Sequence, residues 1–206
     1  MTKQDALDKF HKRDFSWSQM SSFAYNPEQW YKSYILGEYQ DSEELRFGKM
    51  IDLKIQEDPT FMPSLPRYEK MQHKMKVVFN KIPLVGVPDG INFTTTPKIL
   101  SDYKTGRNPW TQKKAKETGQ LKFYLLLIYI TEKIKPEEFD CYIHWLPTKL
   151  EENGNFERKI SLISDTEFQT FKVNHTMRDI LTFGTEIIKT YIAMEKYIAQ
   201  HSHENE

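Results

Sequence analysis

The spacing of apolar positions changes character along the chain. Residues 16–36, SWSQMSSFAYNPEQWYKSYIL, are aromatic and helical in pattern. Ser16 or Ser18 suits the helix cap, and Pro27 suits the first turn of a second helical piece. Residues 43–56, EELRFGKMIDLKIQ, open with acids in the first turn and predict an apolar face of Leu45, Met50, Leu53 and, less regularly, Phe47. Pro59, Pro63 and Pro66 then punctuate a loop. Short β-rich runs follow at 74–79, 83–93 and 98–104, parted by Asn80-Lys81 and by Thr94-Thr95-Thr96-Pro97, which predicts a three-stranded antiparallel meander. A helix is expected over 111–133, with Leu121, Tyr124, Leu125 and Ile128 at helical spacing. Strands are expected at 139–146 and 156–163 around a hairpin turn at Glu151-Glu152-Asn153-Gly154-Asn155. Residues 164–200 read as helix, capped by Ser164 or Asp165 and interrupted near Gly184. The economical architecture is one α/β domain over 1–206: helices in 1–58, a sheet core with a crossover helix in 67–163, and helices in 164–200.

Composition narrows the class. The 206 residues include four Trp, 11 Tyr and 13 Phe, ample for a buried core and unlike a disordered chain. Cys141 is the single cysteine, which excludes intramolecular disulfides, four-cysteine zinc sites and cysteine-held iron–sulfur clusters, and points to a reducing compartment. The first residues are charged, and the longest apolar run, 123–130, falls far short of the roughly 20 residues that a membrane span needs. A soluble cytoplasmic protein with no membrane partner is expected. Lys+Arg and Asp+Glu balance at 29 each, which on its face argues against nucleic acid. The balance is a cancellation, however: residues 67–122 hold 12 bases against four acids, and the remainder holds 17 against 25. The objection to nucleic acid therefore fails, and any such binding is expected to be salt-sensitive and confined to one cleft.

Chemistry concentrates in LVGVPDGINF and ILSDYKTG, which set Asp89 thirteen residues before Asp102, with Lys104 two positions later. Side chains at i and i+2 of a strand share a face, so Asp102 and Lys104 project together, and a short hairpin can bring Asp89 beside them. Two carboxylates and an ammonium then converge. Magnesium prefers hard oxygen ligands, typically one or two carboxylates, and a nearby lysine can orient the attacking water or offset charge in the transition state. An Asp-x-Lys triplet taken alone is a poor signal and more readily describes a solvated strand end. Here Asp102 follows Ile99-Leu100 and precedes Thr105-Gly106, where a buried strand meets a turn, and Asp89 sits in an apolar run where an acid needs a partner.

Gly86-x-x-Asp89, Asp102-Tyr103-Lys104-Thr105-Gly106 and Gln120-x-x-x-Tyr124, in that order, resemble the RecB-like branch of the PD-(D/E)XK nuclease superfamily. So do the aromatic segment FSWSQMSSFAYNPEQWYKSYILG and the Phe47-Gly48 pair, so that the resemblance spans about residues 15–130. It implies a restriction-endonuclease-like core, a mixed sheet flanked by helices. It also implies hydrolysis of DNA phosphodiesters with Mg2+ or Mn2+. Carried over by residue, Asp89 and Asp102 are expected metal ligands, the Tyr103 backbone carbonyl a further one, and Lys104 the catalytic lysine. Gln120 and Tyr124 share one helix face beside them; their alternative is a half-buried packing face.

Two departures from the family pattern are informative. Where this branch commonly carries histidine four residues after the helix glycine, Gly48 is followed by Asp52, a hard donor that favours magnesium; the alternative is an exposed aspartate, with the metal held by Asp89 and Asp102 alone. The cysteines that hold an iron–sulfur cluster in some relatives are missing, as is any Walker P-loop, so helicase activity would come from a helicase or recombination partner. Arg107, Trp110, Lys113, Lys114 and Lys116 follow the Asp-x-Lys strand and are expected to contact nucleic acid, with Trp110 or Trp17 available for base stacking and Phe23 and Tyr25 expected in the core. The leading expectation is an exonuclease on single-stranded or frayed DNA ends. The alternatives are a nucleic-acid-binding module with little catalysis and an RNA-directed hydrolase.

Overall fold

The computed structural model describes residues 1–39, 42–152, 158–164 and 166–202. The chain opens with four helices: α1 (Lys3–His11), α2 (Trp17–Tyr25), α3 (Pro27–Trp30), which runs into a π-helical turn (Tyr31–Leu36), and α4 (Glu43–Glu57). Ser16 caps α2 by accepting from the Gln19 amide, and Asn26 caps α3 with Pro27 in its first turn. Helix α1 falls in the region 1–58 expected to be helical, though no pattern singles it out; a capping box of Thr2 with Asp5 starts it, and Ala6 and Phe10 bury its inner side.

The strands β1 (Lys70–Met71), β2 (Met75–Phe79), β3 (Ile82–Gly86), β4 (Gly90–Asn92) and β5 (Lys98–Gly106) come next. Helices α5 (Gln112–Glu117) and α6 (Gln120–Glu132) lead to β6 (Phe139–Glu152), β7 (Arg158–Leu162), β8 (Gln169–Val173) and α7 (Met177–His201). The main sheet runs β1-β4-β5-β6-β7, with β8 also paired to β6. β5 and β6 are parallel, their register placing Asp102 beside Ile143 and Lys104 beside Trp145, and the other pairs are antiparallel. A parallel pair needs a crossover, and α5 and α6 supply it. The result is the mixed sheet flanked by helices that the sequence implied.

Several expectations change in detail. The expected meander does not form: residues 83–93 split at Val87-Pro88-Asp89, so that β2 and β3 make a separate hairpin and β4 joins β5. Pro88 has no N–H to give a ladder, and just before it Gly86 lies close against α6, where a methyl group would stand 2.9 Å from Leu127 and 3.0 Å from Tyr124. The helix expected over 111–133 breaks at Thr118, whose backbone turns extended at ψ 132°, and Gly119 after it leaves room for the Trp17 ring. Residues 164–200 hold β8 before α7, and Gly184 does not interrupt α7; it forms a notch for the Phe79 ring. The turn expected at 153–155 and the cap expected at Asp165 lie outside the described residues.

The sheet buries both faces. On one, Ile91, Leu100, Cys141 and Ile143 pack with α6 and α7; Leu121 and the run Phe123–Ile128 are all buried, which marks α6 as an interior helix. On the other, Tyr103 and Leu146 pack with Ile51 and Ile55 of α4 and with Met62 and Leu65. The inward stripe of α4 is therefore Phe47, Ile51 and Ile55, and the expected face of Leu45, Met50 and Leu53 is exposed. Arg67 ties down the loop after α4, donating to the backbone carbonyls of Ile55, Asp58, Phe61, Met62 and Leu65, so one of the central bases serves structure. Among the described residues no helix is long and apolar enough to cross a membrane.

Candidate active site

The end of β5 lifts Asp102 and Lys104 on the side facing α6. Leu100 and Asp102 alternate with Tyr103, which points into the opposite core, and this places a carboxylate among apolar neighbours at 1% exposure. Burial is tolerated because both oxygens are engaged. Oδ1 accepts from Gln120 Nε2 at 2.7 Å, and Oδ2 lies 2.6 Å from Lys104 Nζ. Gln120 also donates to the Tyr124 hydroxyl at 2.8 Å, so two residues one helical turn apart form a bracket over Asp102.

Asp89 approaches from the loop between β3 and β4, not from within a strand. It is 8% exposed, and its Oδ2 accepts the Tyr103 backbone N–H at 2.7 Å while Oδ1 accepts from Gln72 Nε2 at 2.7 Å. Gln72 did not emerge from the sequence; it lies outside every motif, in the connection between β1 and β2. Asp52 reaches the cluster from α4. A methyl group at Gly48 would make ordinary contact with Thr105, 3.5 Å away, so α4 meets β5 there without a demand for glycine.

Charge is frustrated in this cluster. Burial, then the Asp102 charge, hold the Asp89 carboxyl well above the usual carboxylate range. Burial, with Asp102 again second, lifts Asp52 to about 6. Burial alone would lower the Lys104 ammonium, but Asp102 and Asp89 outweigh it and hold its pKa above the ordinary value. Lys104 is thus a cation among acids. Burial and Asp102 also raise the Tyr124 phenol, which stays a neutral hydroxyl. Behind the site, His144 on β6 contacts the Tyr68 hydroxyl through Nε2 at 2.7 Å and Thr170 through Nδ1 at 2.9 Å, and burial lowers it to about 4.

The donor set suits a hard divalent cation. All the candidate side-chain ligands are carboxylate oxygens, two of them buried and mutually repelling, a conflict that a bound cation relieves. Among the described residues no three His, Cys, Asp or Glu side chains form a ready-made cage; Asp52 is coupled to the other acids through space and makes no side-chain hydrogen bond to them. Two carboxylates completed by water and substrate oxygens match how magnesium is commonly held.

Beyond β5, Arg107, Lys113, Lys114 and Lys116 are exposed, and Trp110 is half-buried against the core with Lys114 Nζ 4.5 Å from its ring centre. Trp17 packs on Gly119 and Phe183, and Phe23 packs edge-on against Trp30 and Tyr197. Tyr25, expected inside, is 92% exposed at the end of α2, where the chain turns away before Pro27.

A family model described as the PD-(D/E)XK nuclease superfamily matches residues 19–139. The chain belongs to that superfamily. The matched span runs from within α2 through α6, and so contains Asp52, Asp89, Asp102, Lys104, Gln120 and Tyr124. Solved structures share the superfamily member's fold at low identity. A putative exonuclease from Eubacterium rectale aligns with a TM-score of 0.50 at 11% identity, over 97% of this chain and 85% of that one. A protein designated SSO0001 aligns with a TM-score of 0.50 at 10% identity, over 93% and 85%. No curated protein matches the sequence.

Proposed function

We propose that this nuclease is a Mg2+- or Mn2+-dependent deoxyribonuclease of RecB-like type, acting as an exonuclease on single-stranded or frayed DNA ends. The observation that carries this reading is the convergence of Asp89 and Asp102 on the Lys104 ammonium, with Asp102 bracketed by Gln120. Asp89 and Asp102 would hold the cation, with Asp52 and the Tyr103 carbonyl as further oxygen donors. A bound divalent ion supplies a water activated at neutral pH and a counter-charge for the phosphate.

The remaining work falls to the chain's own residues. Lys104, kept protonated by its acid neighbours, donates to the attacking water or to a phosphate oxygen and offsets the negative charge that grows as the phosphorus takes on its fifth oxygen. Gln120 fixes the rotamer of Asp102, and Tyr124 fixes Gln120. The lysines of α5, with Arg107, attract the phosphate backbone, and Trp110, with the Lys114 ammonium 4.5 Å from its ring centre, offers a ring on which an unpaired base can stack.

The test is incubation of end-labelled single-stranded, duplex and closed-circular DNA, and of RNA, with Mg2+ or Mn2+. Metal-dependent release of nucleotides from linear DNA, sparing the circle and lost in Asp102→Ala, is the expected result. Cleavage of the circle at the linear rate would replace exonuclease by endonuclease, and preference for RNA would overturn the substrate assignment.

A further inference from the structure

We infer that Gln72 is a positioning residue for cation binding: its side-chain amide aims the Asp89 carboxylate. The inference rests on the metal-dependent reading above.

Three hydrogen bonds hold Asp89. Gln72 Nε2 donates to Oδ1 at 2.7 Å, the Tyr103 amide donates to Oδ2 at 2.7 Å, and the Gln72 amide donates to the Asp89 backbone carbonyl at 3.2 Å. Gln72 is the only side chain among the described residues that bonds to this carboxylate. Each oxygen thus receives one N–H and keeps acceptor capacity for a further partner. The chemical type matters. A lysine or arginine in this place would satisfy Oδ1 equally well but would bring a positive charge where a divalent ion is to bind, whereas an amide orients the carboxylate and leaves its negative charge in place.

The backbone at Gln72 shapes the choice of variants. Gln72 has φ +50°, in the left-handed region where glycine sits more comfortably than any side chain. The chain carries glutamine there, at a position whose side chain reaches a buried carboxylate. Met62, Asn80, Lys81 and Lys133 share this region, and what sets Gln72 apart is its side-chain bond to a buried carboxylate.

Two variants separate aiming from folding. Gln72→Gly removes the amide while relieving the backbone, and Gln72→Met keeps the bulk without the donor. Mn2+ binding to each full-length protein is measured by titration calorimetry without DNA, alongside thermal melting without metal. Both variants should bind Mn2+ roughly tenfold or more weakly than wild type, and Gln72→Gly should melt no lower than wild type. In cleavage assays the Mn2+ requirement should shift by the same factor, with the rate at saturating Mn2+ nearly restored. Mn2+ affinity within twofold of wild type in both variants overturns the inference and leaves the metal reading standing. Absence of Mn2+ binding by wild type overturns the metal reading, and the inference with it.

Discussion

The two walls of the acid cluster are built differently. On the β5–α6 wall, Asp102 is buried and fixed by Gln120 and Lys104, and the run Phe123–Ile128 of α6 is buried throughout. On the α4 wall, Asp52 stands on a helix whose outer face exposes Leu45, Met50 and Leu53, and it reaches the other acids only through space. One wall is preorganised, and the other touches the cluster by electrostatics alone. Geometry that must be exact for reaction belongs on the wall fixed by hydrogen bonds, while Asp52, held by no hydrogen bond to the other acids, is the ligand whose position the cluster itself does not set.

That difference ranks the expected effects. Asp102→Ala should lower the cleavage rate by about 1,000-fold or more, measured in single turnover with saturating Mn2+, because it removes a ligand and leaves Lys104 without its nearest counter-charge. Asp52→Asn should cost about 10- to 100-fold under the same conditions; equal losses at both positions would erase the distinction between the walls. The same Asp52→Asn substitution should stabilise the metal-free protein at pH 7–8. Its folded pKa is raised from 3.8 to about 6, so the acid weighs against folding increasingly as pH rises through that window, and removing the charge lifts the penalty. With screening allowed for, the gain is on the order of 1 kcal/mol, read from denaturant melts.

Smaller effects test the ground outside the walls. Replacing Lys113, Lys114 and Lys116 together by serine should weaken binding to single-stranded DNA and reduce the slope of log affinity against log salt by about 2, leaving the saturated rate little changed. A wild-type slope would remove α5 from the binding path. His175, buried before α7, has its pKa lowered from 6.5 to about 4 by burial, then by Lys122. The unfolded chain therefore binds more protons between those values, and stability should fall as pH drops from 6.5 towards 4, by on the order of 2 kcal/mol. Urea melts across that range check it, and a His175→Asn variant should show a flatter profile.

How much of this was legible in the sequence depended on whether a local rule could decide. Asp102 and Lys104 were readable because strand alternation fixes their common face, and Gln120 and Tyr124 because helical spacing fixes theirs. The inward face of α4 was not readable: apolar residues at 45, 47, 50, 51, 53 and 55 offer two stripes, and only contact with Tyr103 and Leu146 selects the one through Ile51 and Ile55. The strand β8 was hidden because Gln169–Val173 is half polar and gains its identity by pairing with β6. Gln72 left no signal, since its role exists only once the β1–β2 connection folds against Asp89. Charge counting overstated the basic cleft, for Arg67 is spent on five carbonyls and Lys98 pairs with Glu138.

The central claim is a division of labour, with the acids holding the cation and Lys104 acting on the reacting phosphate. Lys104→Ala separates the two most directly, with Mn2+ affinity and single-turnover cleavage of end-labelled DNA measured on the same preparation. The account predicts Mn2+ binding at least as tight as wild type, because a competing positive charge is gone, together with a loss of cleavage of about 1,000-fold. Cleavage by Lys104→Ala at the wild-type rate would contradict it.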